Sequence, residues 1–211
     1  MSAEQDSIIN FLLECEVLKF GEFTLKSGRQ SPYFFNLGQV SGGGAFAKLG
    51  GFYADAILAA DIKFDVLFGP AYKGIPIAVA TAIALAERGV EVGVAYNRKE
   101  AKDHGEGGML VGAPVSGRVL LIDDVLTSGK AIREALALID QPEVEVVGAV
   151  IAMDRQEKNA DGDTAVAGLA QELSAPVISI ANLDQLITYL SGSDAHAEVL
   201  AKMSAYRQQY C

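Results

Sequence analysis

The sequence is short of cysteine, of basic residues and of long apolar runs, and it has no tryptophan. Cys15 and Cys211 alone support neither a disulfide framework nor a zinc site, and they fit a reducing compartment. Lys and Arg total 17 against 27 Asp and Glu, for a formal net charge of -10. A duplex-binding face needs clustered cations, so no nucleic-acid partner is expected. No apolar run is long enough to span a bilayer. The first six residues also lack the basic start and apolar core of a signal peptide. A cytoplasmic location without a membrane partner is therefore expected. Two nucleotide motifs are missing as well. No Gly-x-x-x-x-Gly-Lys-[Ser/Thr] occurs, and Gly42, Gly43 and Gly44 lack the spacing and preceding strand of a dinucleotide fingerprint. Internal repeats, low-complexity tracts and linkers are absent.

What remains is half hydrophobic and rich in Ala, Val, Ile and Gly, as in a well-filled α/β protein of 211 residues. The most informative stretch is 118–131. Val119 to Ile122 is apolar and reads as a buried strand of a parallel sheet. It stops in Asp123 and Asp124, passes Val125 and Leu126, turns through Thr127, Ser128 and Gly129, and enters a helix at about Lys130 and Ala131. A strand, a turn and a helix in that order form a βα corner at a sheet's carboxyl edge, where open α/β sheets bind ligands. Gly129 permits close backbone approach, and the free N–H groups opening the helix favour an anion such as phosphate. The two acids suit a vicinal diol or a bridging cation. Together they describe a ribose 5-phosphate site, against the plainer reading of a capped turn.

The rest of the chain predicts one α/β domain over 1–211. A helix and hairpin at 1–40 would cap the site, and 41–211 would form a mainly parallel sheet flanked by helices. An amphipathic helix is expected at 2–17 and a hairpin at 20–36, turning at 27–29. Lys26 lies beside that turn, and Phe34 with Phe35 offers flat aromatic surface to a base, or else belongs to the core. A helix over 41–60 would start with Ser41 as N-cap. A strand at 65–69 leads through Tyr72 and Lys73 into a helix at 75–88, a second anion corner that fits a diphosphate. After a strand at 91–96, the segment 97–108 is charged, Gly-rich and aperiodic. It carries Arg98, Lys99, Lys102 and His104. It reads as a lid closing over a polyanion, with a solvated connector as the alternative. Strands at 143–153 and 176–180 and helices at 164–173, 183–190 and 195–206 complete the domain. Arg155, just past a strand's carboxyl end, fits either a bidentate grip on a substrate carboxylate or a surface salt bridge.

The strand, acid pair and Thr-Ser-Gly of 119–129 resemble the phosphoribosyl-diphosphate (PRPP) signature of the type I phosphoribosyltransferases. Residues 23–36, 69–75 and 98–105 narrow this to a resemblance to the bacterial orotate phosphoribosyltransferases, running from the first helix to the last. That resemblance implies a type I phosphoribosyltransferase fold with a small N-terminal hood. The implied reaction is orotate plus PRPP giving orotidine 5′-monophosphate and diphosphate, in pyrimidine synthesis. By the same resemblance Lys26, Phe34, Phe35, Thr127 and Arg155 would line the orotate side. Tyr72 and Lys73 would bind diphosphate, and residues 123–131 would bind the ribose phosphate. Lys26 would also reach PRPP, and Arg98, Lys99, Lys102 and His104 would form a lid shared across a homodimer. Lys102, Asp123 and Asp124 would carry catalysis, with Mg2+ held through PRPP, diphosphate and water rather than by direct protein ligands. A non-proline cis peptide is implied at Ala71–Tyr72. The alternatives are a transferase for another base and a non-catalytic PRPP sensor.

Overall fold

The computed structural model describes residues 3–25, 27–102, 108–126 and 129–211. Its apolar, β-branched runs become the middle of a six-stranded sheet. β3 (Val66–Gly69) is buried at every position, and β6 (Gly117–Ile122) at its last four. Such continuous burial marks a parallel strand covered on both faces. The other members are β4 (Gly93–Lys102), β5 (Gly108–Gly112), β7 (Val144–Asp154) and β8 (Val177–Asn182). Their order is β5-β4-β3-β6-β7-β8, with only β5 antiparallel. A separate antiparallel hairpin joins β1 (Leu18–Thr24) to β2 (Gln30–Phe35).

Alternation along the strands divides the core in two. Leu67, Leu120, Ile122, Val150 and Ala152 face one cluster, which also receives side chains from five helices. These are α1 (Ala3–Glu14), α2 (Gly43–Ala59), α3 (Gly74–Glu87), α6 (Leu183–Ser191) and α7 (Ala197–Tyr210). Val66, Phe68, Val119, Leu121 and Ile151 face the other cluster, covered by α4 (Lys130–Ile139) and α5 (Ala165–Leu173). The register of the two central strands is tied by Asp65, whose carboxylate accepts from the Arg118 N–H, Nε and Nη2 at 2.9, 3.0 and 2.8 Å. That grip holds the Asp65 carboxyl down to about 2.

The chain runs from β3 outward to β4, then returns to β6 on the other side of β3 and continues to β7 and β8. The order therefore reverses between β3 and β6, and the crevice at their carboxyl ends is the topological switch point. Gly74 makes that crevice narrow. A Cβ there would lie 2.6 Å from the Ile122 carbonyl oxygen, so only glycine lets α3 begin against the end of β6.

Three expectations are corrected. Among the described residues of the segment 97–108, residues 97–102 and 108 are strand and not aperiodic loop: β4 continues to Lys102 and pairs with β5, an edge strand that the Gly-rich composition hid. Asn97 pairs with Leu110 and Lys102 with Gly108, across an irregularity in register. The helix expected from Ser41 starts at Gly43 with Gly42 as N-cap and no side-chain cap bond. Finally, α1 ends at Glu14, because the chain must turn before Val17 and Leu18 enter the core.

Candidate active site

The two anion corners meet. Lys73, immediately before α3, donates to Asp124 Oδ2 at 2.6 Å, and Asp124 follows β6. The Lys73 side chain is 53% exposed and that of Asp124 16%, so the ion pair sits at the mouth of the crevice. Its neighbour Asp123 points inward and is 7% exposed. Asp123 Oδ1 accepts from the Asp124 N–H at 2.9 Å, and its carbonyl oxygen accepts from the Tyr53 hydroxyl at 2.8 Å. Burial pushes the Asp123 carboxyl up to about 6. The Asp124 N–H and Lys73 oppose that rise, while the Asp124 charge adds to it. The adjacent acids thus differ: one is buried with its carboxyl raised, and the other is paired with a cation at the mouth.

The loop before α3 contains the cis peptide Ala71–Tyr72, where the resemblance places it. The Ala71 N–H donates to Asn97 Oδ1 at 3.0 Å, and Asn97 Nδ2 donates to the Arg98 carbonyl at 3.2 Å. Tyr72 is 65% exposed, and Lys99 Nζ lies 4.9 Å from its ring centroid. The corner before α3 and the basic start of the expected lid are therefore one assembly. Asn97, buried on β4, ties the two together and was missed in the sequence, where an Asn beside Arg98 carries no signal. Arg98 is half-buried.

The acid corner ends in the parallel bridge Val125–Met153, and the Ala152 N–H donates to the Asp124 carbonyl at 2.7 Å. Gly129 takes a left-handed φ of 65° as N-cap of α4, a conformation that glycine adopts without a Cβ penalty. Lys26, His104, Thr127 and Ser128 lie outside the described residues, as do the side chains of Lys102 and Lys130.

Beyond Asp154, Arg155 is neither an open cation nor a surface ion pair. Its side chain is 14% exposed, and Nε donates to Glu157 Oε1. Nη2 donates to Ser31 Oγ at 3.1 Å and to the Tyr206 hydroxyl at 3.2 Å. Arg155 thus joins β7 to the hairpin and to α7. Phe34 and Phe35 do not form one surface, because successive strand residues face opposite ways. Phe34 is 40% exposed and stacks on Phe23 at 5.4 Å, whereas Phe35 packs on the core. Glu157 and Arg29, both in the Arg155 network, were not foreseen.

A switch-point crevice with an acid corner and a lysine corner defines the class of protein, and the phosphoribosyl transferase domain family matches residues 38–179. Orotate phosphoribosyltransferase from Saccharophagus degradans is 54% identical over 211 residues, covering 100% of this chain and 99% of that one. The Vibrio cholerae protein of the same name is 53% identical with the same coverage. Among solved structures, Francisella tularensis orotate phosphoribosyltransferase aligns with a TM-score of 0.86 and 40% identity, over 97% of this chain and 98% of that one. The chain belongs to the orotate phosphoribosyltransferase family. It is an enzyme of the type I phosphoribosyltransferase fold. Among the described residues no helix is long and apolar enough to cross a membrane.

Proposed function

We propose that the chain transfers the 5-phosphoribosyl group of PRPP to orotate, releasing orotidine 5′-monophosphate and diphosphate. The Lys73–Asp124 contact carries this reading, because it joins a diphosphate corner and a ribose corner in one crevice. An ion pair this exposed is worth little, so an incoming diphosphate can take Lys73 while the ribose hydroxyls take Asp124. Asp123 accepts from the ribose as well. The backbone from Val125 to Ala131, with Thr127, Ser128 and Lys130, surrounds the 5′-phosphate at the start of α4.

Chemically, the bond from the anomeric carbon to the diphosphate oxygen breaks as the base nitrogen forms its own bond to that carbon. Positive charge builds on the ribose and negative charge on the leaving group. Tyr72, Lys73, Arg98 and Lys99 stand where that negative charge collects, and Lys102 and His104 complete the lid. Lys102, or neutral His104, donates a proton to the departing oxygen. A Mg2+ ion would be held through PRPP, diphosphate and water, with the adjacent carboxylates suited to its water shell and not to direct ligation, and when bound it would neutralise the diphosphate further. Lys26, Phe34, Thr127 and Arg155 form the orotate side, with the hairpin as cap, while the Phe35 ring backs that side from the core. The lid excludes water, which would otherwise hydrolyse PRPP.

A homodimer completes this reading. Val79 and Ile83, four residues apart on α3, are 42% and 59% exposed, and Leu58 at the end of α2 is 42% exposed. A second copy seated on α3 lies next to the Tyr72–Lys73 corner, where its lid can enter. The testing experiment follows orotate by its ultraviolet absorbance, with PRPP and Mg2+ present and each omitted in turn. Loss of orotate only in the complete mixture is expected. No loss, with PRPP still binding by calorimetry, would move the reading to another base or a sensor.

A further inference from the structure

We propose that Glu157 is a positioning residue for base selection: it aims the Arg155 guanidinium so that a carboxylate on the base completes its hydrogen bonding. The proposal rests on the reading of Arg155 as an orotate-side residue. Glu157 lies outside every motif in the sequence, yet three donors converge on it. Its Oε1 accepts from Arg155 Nε and from the Tyr206 hydroxyl at 2.6 Å, and its Oε2 accepts from Arg29 Nη1 at 3.1 Å. Arg29 is held in turn by the Lys158 carbonyl at 2.8 Å and lies over the Tyr210 ring at 4.9 Å.

Donor accounting gives the direction. An arginine has five N–H groups. Glu157 takes the one on Nε, and Ser31 with Tyr206 takes those on Nη2, while the guanidinium lies 4.2 Å from the Tyr33 ring centroid. Among the described residues Nη1 has no partner, so its two N–H groups are left for an acceptor. Charge accounting gives the acceptor's sign. Arg29 and Arg155 share one carboxylate, and the three side chains are only 28%, 14% and 17% exposed for Arg29, Arg155 and Glu157. A surplus positive charge in a partly dry cluster favours an anion over a neutral carbonyl. Without Glu157 the Arg155 side chain regains its rotamers, and two neighbouring cations repel.

The competing explanation is that Glu157 merely ties the hairpin and α7 to the end of β7. Two nucleotides that differ only in the base carboxylate, orotidine 5′-monophosphate and uridine 5′-monophosphate, separate the two. Both would be measured as inhibitors of the full-length enzyme, wild type and Glu157→Gln. The expected result is an inhibition constant for orotidine 5′-monophosphate raised about tenfold, with that for uridine 5′-monophosphate and the KM for PRPP unchanged within about twofold. Tyr206→Phe, which keeps the ring and removes one bond to each partner, shifts the same ratio less and serves if Glu157→Gln does not fold. Equal weakening of both nucleotides, or no change in either, overturns the proposal. A wild-type enzyme that fails to prefer the carboxylated nucleotide removes the assignment of Arg155 itself, before any substitution is read.

Discussion

Asp123 shows how burial ties the charge of one residue to the stability of the fold. Its ordinary value of 3.8 rises to about 6 because burial penalises the charge. A carboxyl whose native value is raised stabilises the fold below its unfolded value and loses that contribution as pH rises through the native one. Asp123→Asn keeps the shape and removes the charge. Its advantage in unfolding free energy is expected to be near zero below about pH 4. It should grow to the order of 2 kcal/mol above about pH 6, while transferase activity falls. Denaturant titrations of both proteins across that range check it, and a constant difference would refute the buried-charge account. Lys102 is the corresponding test of the lid. Lys102→Ala is expected to cut turnover far more than PRPP affinity, as read by kcat beside calorimetric binding. Turnover near wild type would remove its catalytic role.

At the scale of elements, the active crevice depends on how closely α3 can start behind β6. Alanine at an interior helix position normally improves on glycine by about 1 kcal/mol. At Gly74 the sign should invert, because a Cβ would meet the Ile122 carbonyl at 2.6 Å and Pro70 Cδ at 2.8 Å. Gly74→Ala is expected to destabilise the protein by about 1–3 kcal/mol. Pushing Lys73 from Asp124 should also raise the KM for PRPP. Thermal unfolding and steady-state kinetics on the same variant decide, and a stabilised protein with an unchanged KM would show that the approach is not needed. The β4–β5 pairing makes a related point: the cations at 98 and 99 stand on an extension of a core strand, anchored to the corner before α3 by Asn97 and Tyr72.

For the whole molecule, the proposed shared lid would make activity a property of two chains. Ile83→Glu places a charge on that face without touching the crevice of its own chain. It is expected to give monomers by sedimentation and to lower activity at least about tenfold, since an absent lid removes leaving-group stabilisation. A monomer of full activity would overturn the shared lid. Much of the molecule was legible in the chain alone. Buried strands announce themselves as apolar runs, the βα corners as acids or lysine beside glycine, and the hairpin as two β-like runs around a turn. Those signals are local, so sequence by itself determined the class of fold, the two strand-turn-helix corners and the family. Only the tertiary structure decided that Lys73 meets Asp124, that Asp123 is buried, and that Phe34 and Phe35 part company. It alone joined Arg155 to Glu157, Arg29, Ser31 and Tyr206. Those contacts span up to 128 positions, as between Arg29 and Glu157. No local pattern encodes such a pairing, because it depends on where the sheet order and the packing of α7 bring distant side chains.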